Sequence, residues 1–102
     1  MKKRALLRLL ALVFLLHLPA ALRADTPVKV GLYQNKPLAF MDDAGTPGGI
    51  YVDILQTIAA KEGWRLEYVS CTWAACLELL ERGDLDLLVA IAYSAERADR
   101  FE

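Results

Sequence analysis

The feature that most restricts the fold is a hydrophobic period that switches back and forth along the chain after residue 25. Val28-Lys29-Val30-Gly31-Leu32-Tyr33 alternates apolar and polar side chains, the pattern of a first β-strand. From Tyr51 to Glu62 the spacing changes to three and four, with Ile54, Leu55, Ile58 and Ala59 expected to form the apolar stripe of a helix that stops at Gly63. Trp64 to Val69 alternates again and reads as a second strand. Thr72 is placed to cap a second helix over Trp73 to Arg82, with Trp73, Cys76, Leu77 and Leu80 on one face and Gly83 as its stop. Leu85 to Ala92 is the most apolar run of this part and is expected to be a strand buried on both faces. Ser94-Ala95-Glu96-Arg97 reads as a capped helical turn. Strand, helix, strand, helix, strand is the order of an α/β fold, a parallel sheet with helices on its faces.

Between the first strand and the first helix, Gln34 to Gly49 has the Asn, Asp, Pro and Gly content of a loop. Its apolar interlude, Leu38-Ala39-Phe40-Met41, precedes Asp43-Ala44-Gly45, which is expected to turn a small hairpin. Asp42 and Asp43 lack the other ligands of a calcium loop.

Residues 1–24 follow a different rule. Lys2, Lys3, Arg4 and Arg8 precede the unbroken apolar run Leu9 to Leu16, and small residues around Ala20, Ala21 and Ala24 lead to Asp25. This is the layout of a secretory signal peptide, with cleavage expected after Ala24. The alternative is an uncleaved membrane anchor, but only fourteen residues separate Arg8 from Arg23 and His17 interrupts them, whereas a span needs roughly 20 apolar residues. The body at 25–102 is therefore expected to work in the periplasm, an oxidising compartment, and a chain of 102 residues has room for one small domain.

Charge and histidine content narrow the function. Residues 25–102 hold seven basic and thirteen acidic side chains, a net of −6, so the basic stripe needed for counterion release on a nucleic acid is missing. The one histidine, His17, lies in the leader. Ser-His-Asp and Cys-His nucleophile activation, histidine-based zinc sites and a phospho-accepting histidine are thereby excluded from the body. No metal and no cofactor is expected, and an enzyme would need catalytic groups that these residues do not provide.

The ordered set Val30-Gly31, Pro37-Leu38-Ala39-Phe40, Gly45 with Gly49 to Leu55, Ala59 to Gly63, Trp73, Leu80 with Gly83 to Asp86, and Ser94 to Arg97 with Phe101 resembles the extracellular solute-binding proteins of family 3. The resemblance runs from Val28 to Phe101. It implies part of lobe one of a two-lobed fold that closes on a ligand between its lobes; the hinge and second lobe are not among these residues, so the alternative to a binding role is a non-binding fragment that cannot close on a ligand. Tyr33 to Pro37, Glu62-Gly63-Trp64, Cys71 to Cys76 and Ala92 to Arg97 are further similar to the versions that form the sensor domains of membrane histidine kinases and cyclic-dinucleotide signalling proteins. The implied partners are a small solute, amino-acid-like or otherwise carboxylate-bearing, and a membrane permease or a membrane signalling module.

The resemblance also assigns roles. Arg97, in the family's Ser/Thr-x-x-Arg motif with Ser94, is the implied grip on a ligand carboxylate, since its guanidinium fork fits a carboxylate at two points. The alternative is a solvated pair with Glu96 or Asp99, worth little. Ala92 stands where the family often has a hydroxyl donor. Trp73 and Phe40 resemble the aromatic walls of the ligand site, and Tyr33 and Tyr93 are placed to contribute from the ends of the first and third strands. Asp53 is read as an acid at a helix front, favoured there by the backbone dipole, and Asp84 and Asp86 as turn residues. Cys71 and Cys76 are expected to form a disulfide in an exported protein; the alternative is two thiols whose Cα atoms stand more than about 7 Å apart.

Overall fold

The computed structural model describes Lys3 and the continuous stretch Asp25 to Phe101; the leader expected at 1–24 otherwise lies outside the described residues. Strand β1 (Thr26–Leu32) is the centre of a three-stranded parallel sheet, with one long and one short neighbour. Strand β4 (Trp64–Ser70) runs beside it in unbroken register from Thr26↔Trp64 to Leu32↔Ser70. Strand β5 (Leu87–Leu88) pairs only at Val30↔Leu87 and Gly31↔Leu88.

The alternation read in β1 sorts its side chains between two layers. Val30 and Leu32 are buried, and Leu32 packs with Ala39 and Val52 in the core. Gly31 faces the other way, where a Cβ would stand 2.7 Å from Leu85 Cδ1 and 3.3 Å from Cys76 Sγ, so the layer beneath it closes directly on the strand. Val52 belongs to helix α1 (Ile50–Glu62) and Cys76 to helix α2 (Trp73–Glu81). The two helices thus cover opposite faces of the sheet, the arrangement that βαβ crossovers produce.

Helix α1 begins without a side-chain cap. Gly49, at φ 115°, lets the backbone of Pro37 and Leu38 approach. Their carbonyls accept from Ile50 N (3.1 Å) and Tyr51 N (2.9 Å), two donors that otherwise have no partner in a first turn. Gly63, left-handed at φ 71°, ends the helix. The buried stripe is Val52, Leu55 and Ala59, whereas Ile54 and Ile58 are 50% and 42% exposed. The expected stripe is thus rotated: Leu55 and Ala59 are inside, and the two isoleucines are outside.

Helix α2 is capped as expected, Thr72 Oγ1 accepting from Ala75 N at 3.2 Å. The eight-residue strand expected over Leu85–Ala92 is not formed. Only Leu87–Leu88 enter the ladder, of the run only Leu85 is buried, and Ala90 at φ 60° turns the chain out of extended geometry. With β1 on one side and no further strand beside it among the described residues, β5 has half the ladder of a central strand. The short hairpin β2 (Phe40–Met41) and β3 (Pro47–Gly48) turns where expected, Asp42 Oδ1 accepting from Ala44 N and Thr46 N at 2.9 and 2.8 Å. The turn at Ser94 opens a seven-residue helix, α3 (Ala95–Phe101), tied to α2 by Arg100 Nη2 to Glu81 Oε2 at 2.6 Å.

Candidate ligand site

All three parallel strands deliver their next residues to one end of the sheet, the end where open α/β sheets place ligands. Tyr33 follows β1, Cys71-Thr72-Trp73 follows β4, and Ala90 to Ser94 follows β5. Tyr33 is fixed at its phenol, which donates to Ala90 O (2.7 Å) and accepts from Asn35 Nδ2 (3.3 Å). Its ring meets Trp73 edge to face, with centroids 4.8 Å apart and planes at 64°, a favoured aromatic geometry. Arg97 lays its guanidinium over the Trp73 ring, Cζ 5.2 Å from the centroid, and Nη1 donates to Ala92 O at 2.9 Å.

Arg97 is thus held from two sides. Ser94 Oγ accepts from Arg97 N at 3.2 Å and sets the first turn of α3, while the indole and the Ala92 carbonyl fix the side chain. Among the described residues no carboxylate pairs with it. Glu96, one of the acids expected to compete, lies 3.7 Å from Arg100 instead, and Arg100 is engaged mainly by Glu81. That hydrogen bond, reinforced by the opposite charge, lowers the Glu81 carboxyl below its ordinary 4.5 and raises the Arg100 guanidinium.

Two open hollows flank this trio. One, of about 520 Å³, is lined by Tyr33, Gln34, Ser70, Cys71, Thr72 and Trp73. The other, of about 310 Å³, lies along the path from Ile91 to Phe101 and includes Tyr93, Ser94 and Arg97. Tyr93 is 86% exposed at its rim. Phe40 lines neither hollow. Its ring sits under Lys36 Nζ (4.9 Å) and against Gly48 in the hairpin. Cys71 and Cys76 are joined, with Cα atoms 5.4 Å apart, across the first turn of α2 and around Trp73.

The remaining acids stay out of the site. Asp53 occupies the first turn of α1, Asp84 pairs with Arg82 at 3.0 Å, and Asp86 accepts from Lys29 N at 2.8 Å. Among the described residues no cluster of three or more histidine, cysteine or acidic side chains could hold a metal ion. Asn35 and the carbonyls of Ala90 and Ala92 are contributors that sequence reasoning does not single out. Two act through backbone atoms, which leave no signature in residue type.

Comparison with known proteins agrees with this fold. The chain is similar to a crystal structure of a histidine kinase sensor domain with similarity to periplasmic binding proteins, at 31% identity and TM-score 0.67, covering 76% of this chain and 34% of that one. It is similar to a putative binding component of an ABC transporter from Wolinella succinogenes complexed with lysine, at 25% identity and TM-score 0.66, again over 76% and 34%. It is also similar to a point mutant of the arginine-bound form of domain 1 from TmArgBP, at 28% identity and TM-score 0.64, over 72% of this chain and 58% of that domain. The chain spans about a third of the length of the first two structures. No match was found among curated proteins. The model of the bacterial extracellular solute-binding proteins, family 3, matches residues 28–102, and the chain belongs to that family.

Proposed function

We propose that residues 25–102 form the lobe-one face of an extracytoplasmic receptor for a small carboxylate-bearing solute, amino-acid-like in size, of the type that feeds an ABC transporter. The observation that carries this reading is Arg97. It is a guanidinium seated on an indole at the ligand-bearing end of the sheet, with no acid of the described residues to neutralise it. Tyr33 and Trp73 supply the apolar wall, and Ser94 sets the turn that presents the arginine. That domain 1 of an arginine-binding relative is itself described as arginine-bound supports ligand reading by one lobe. Residues 1–24 act in this proposal as a cleaved signal peptide that delivers the domain to the periplasm. The role is binding rather than catalysis.

A second reading is favoured by the similarity to a histidine kinase sensor domain. The same capture would then bias a membrane signalling module rather than dock a permease. Both share one test of the site, titration of the full chain with L-amino acids followed by NMR shifts. Arg97→Ala is expected to weaken the best ligand by roughly 10- to 150-fold, the loss that follows from a charge-assisted contact of about 1.5–3 kcal/mol. Unchanged affinity refutes the assignment. Genes for a permease and ATPase beside the coding sequence favour the transport role, and a kinase or cyclase output favours the sensor.

A further inference from the structure

Three observations about the charge of this face point beyond carboxylate capture. First, among the described residues neither hollow is lined by any Asp or Glu, while one includes Arg97. Second, the Trp73 ring, the surface on which a ligand ammonium or guanidinium would stack, already carries Arg97 at 5.2 Å. Third, the nearby acids among the described residues are turned elsewhere: Glu81 and Glu96 face Arg100, and Asp99 lines neither hollow.

We infer that the face built by Tyr33, Trp73 and Arg97 selects an anionic group on an uncharged, apolar or flat body and discriminates against cationic amino acids. The inference rests on the carboxylate-binding reading above. A cationic side chain entering either hollow finds no carboxylate partner among the described residues that line it, and its aromatic platform is occupied by a like charge. The uncharged remainder of an anion meets instead the indole edge, the Tyr33 ring and the apolar atoms of Ile91, Ala98 and Phe101.

L-norleucine and L-lysine test this directly, because they share a carbon skeleton and differ only by the terminal ammonium. Both are titrated into the full-length chain, with 3-phenylpropionate as a flat anion, and amide and indole shifts are read by NMR. Norleucine and 3-phenylpropionate are expected to bind, with lysine weaker by roughly tenfold, the effect of a like charge held within about 7 Å of the guanidinium. In Arg97→Gln, norleucine should weaken and the norleucine-to-lysine ratio should contract to about threefold or less. Lysine binding as tightly as norleucine overturns the inference and leaves carboxylate capture standing, as does a ratio that survives Arg97→Gln. Binding of none of the three probes overturns carboxylate capture and the inference with it.

Discussion

Replacing Gly49 with alanine, beside the same change at Gly63, separates two reasons for keeping a glycine. Both residues have positive φ, 115° and 71°, at the two ends of α1. A Cβ at Gly63 meets nothing within 4 Å, so the cost there is the left-handed backbone alone, about 1 kcal/mol. At Gly49 the φ/ψ pair of 115° and 167° lies in territory reserved almost wholly for glycine, worth roughly 1–3 kcal/mol. In addition, a Cβ there would run into the Leu38 carbonyl, with Leu38 C at 2.7 Å and Ala39 N at 2.9 Å. Leu38 O is the acceptor for Tyr51 N at 2.9 Å, so its retreat gives up a bond of about 0.5–1.5 kcal/mol. Gly49→Ala is therefore expected to cost about 2–4 kcal/mol against about 1 kcal/mol for Gly63→Ala. Urea unfolding of the full chain, followed by fluorescence of Trp64 and Trp73, reads the difference. With a slope near 1 kcal/mol per molar for a domain of this size, the Gly49 variant should unfold at least about 1 M below the Gly63 variant or show no folded baseline. Midpoints that coincide refute the argument that backbone carbonyls cap this helix.

Other expectations concern the edges of the site. Because Glu81 titrates below 4.5 when folded, its contact with Arg100 is fully present above that value and is lost as pH falls through the depressed folded value. Helix α3 should loosen from α2 in that acid window, seen as shifts of the Phe101 ring signals, and Glu81→Gln should remove the pH step. Cys71→Ser, which opens the bridge and leaves the buried Cys76 thiol in place, is expected to destabilise the chain by about 2 kcal/mol from loop entropy. It should also change Trp73 emission, and an unaltered melting curve contradicts a pinned α2 start. Gly31→Ala should cost about 1–3 kcal/mol by overpacking against Leu85, Leu88 and Cys76, read as a lowered urea midpoint.

Much of the fold is legible in the sequence where a local rule has one answer. Alternation finds β1 and β4, Thr72 marks the start of α2, and Gly63 the end of α1. Periodicity misleads where two answers fit it equally. Both Ile50-Ile54-Ile58 and Val52-Leu55-Ala59 have helical spacing, and the sheet selects the second. The apolar run after Leu85 looks like a long central strand, but strand length depends on neighbours, and β5 has only part of β1 to pair with. In the candidate site, Arg97, Trp73, Tyr33 and Ser94, singled out in the sequence, lie near one another, yet the Arg97 surroundings depend on a remote event. Glu81, nineteen residues from Arg100 in sequence, draws that arginine toward α2, and Arg100 in turn is the partner of Glu96. Phe40 differs because its hairpin gives the ring a local partner in Lys36.

Tyr33 lies just past the last residue of β1, and Trp73 opens the helix that follows β4. Side chains that would meet a solute are therefore separated from the hydrogen-bonded ladder by one or a few positions. Mutations can redraw what such a surface admits while the scaffold beneath keeps its pairing, so new tastes can arise in descendants without passing through unfolded ancestors.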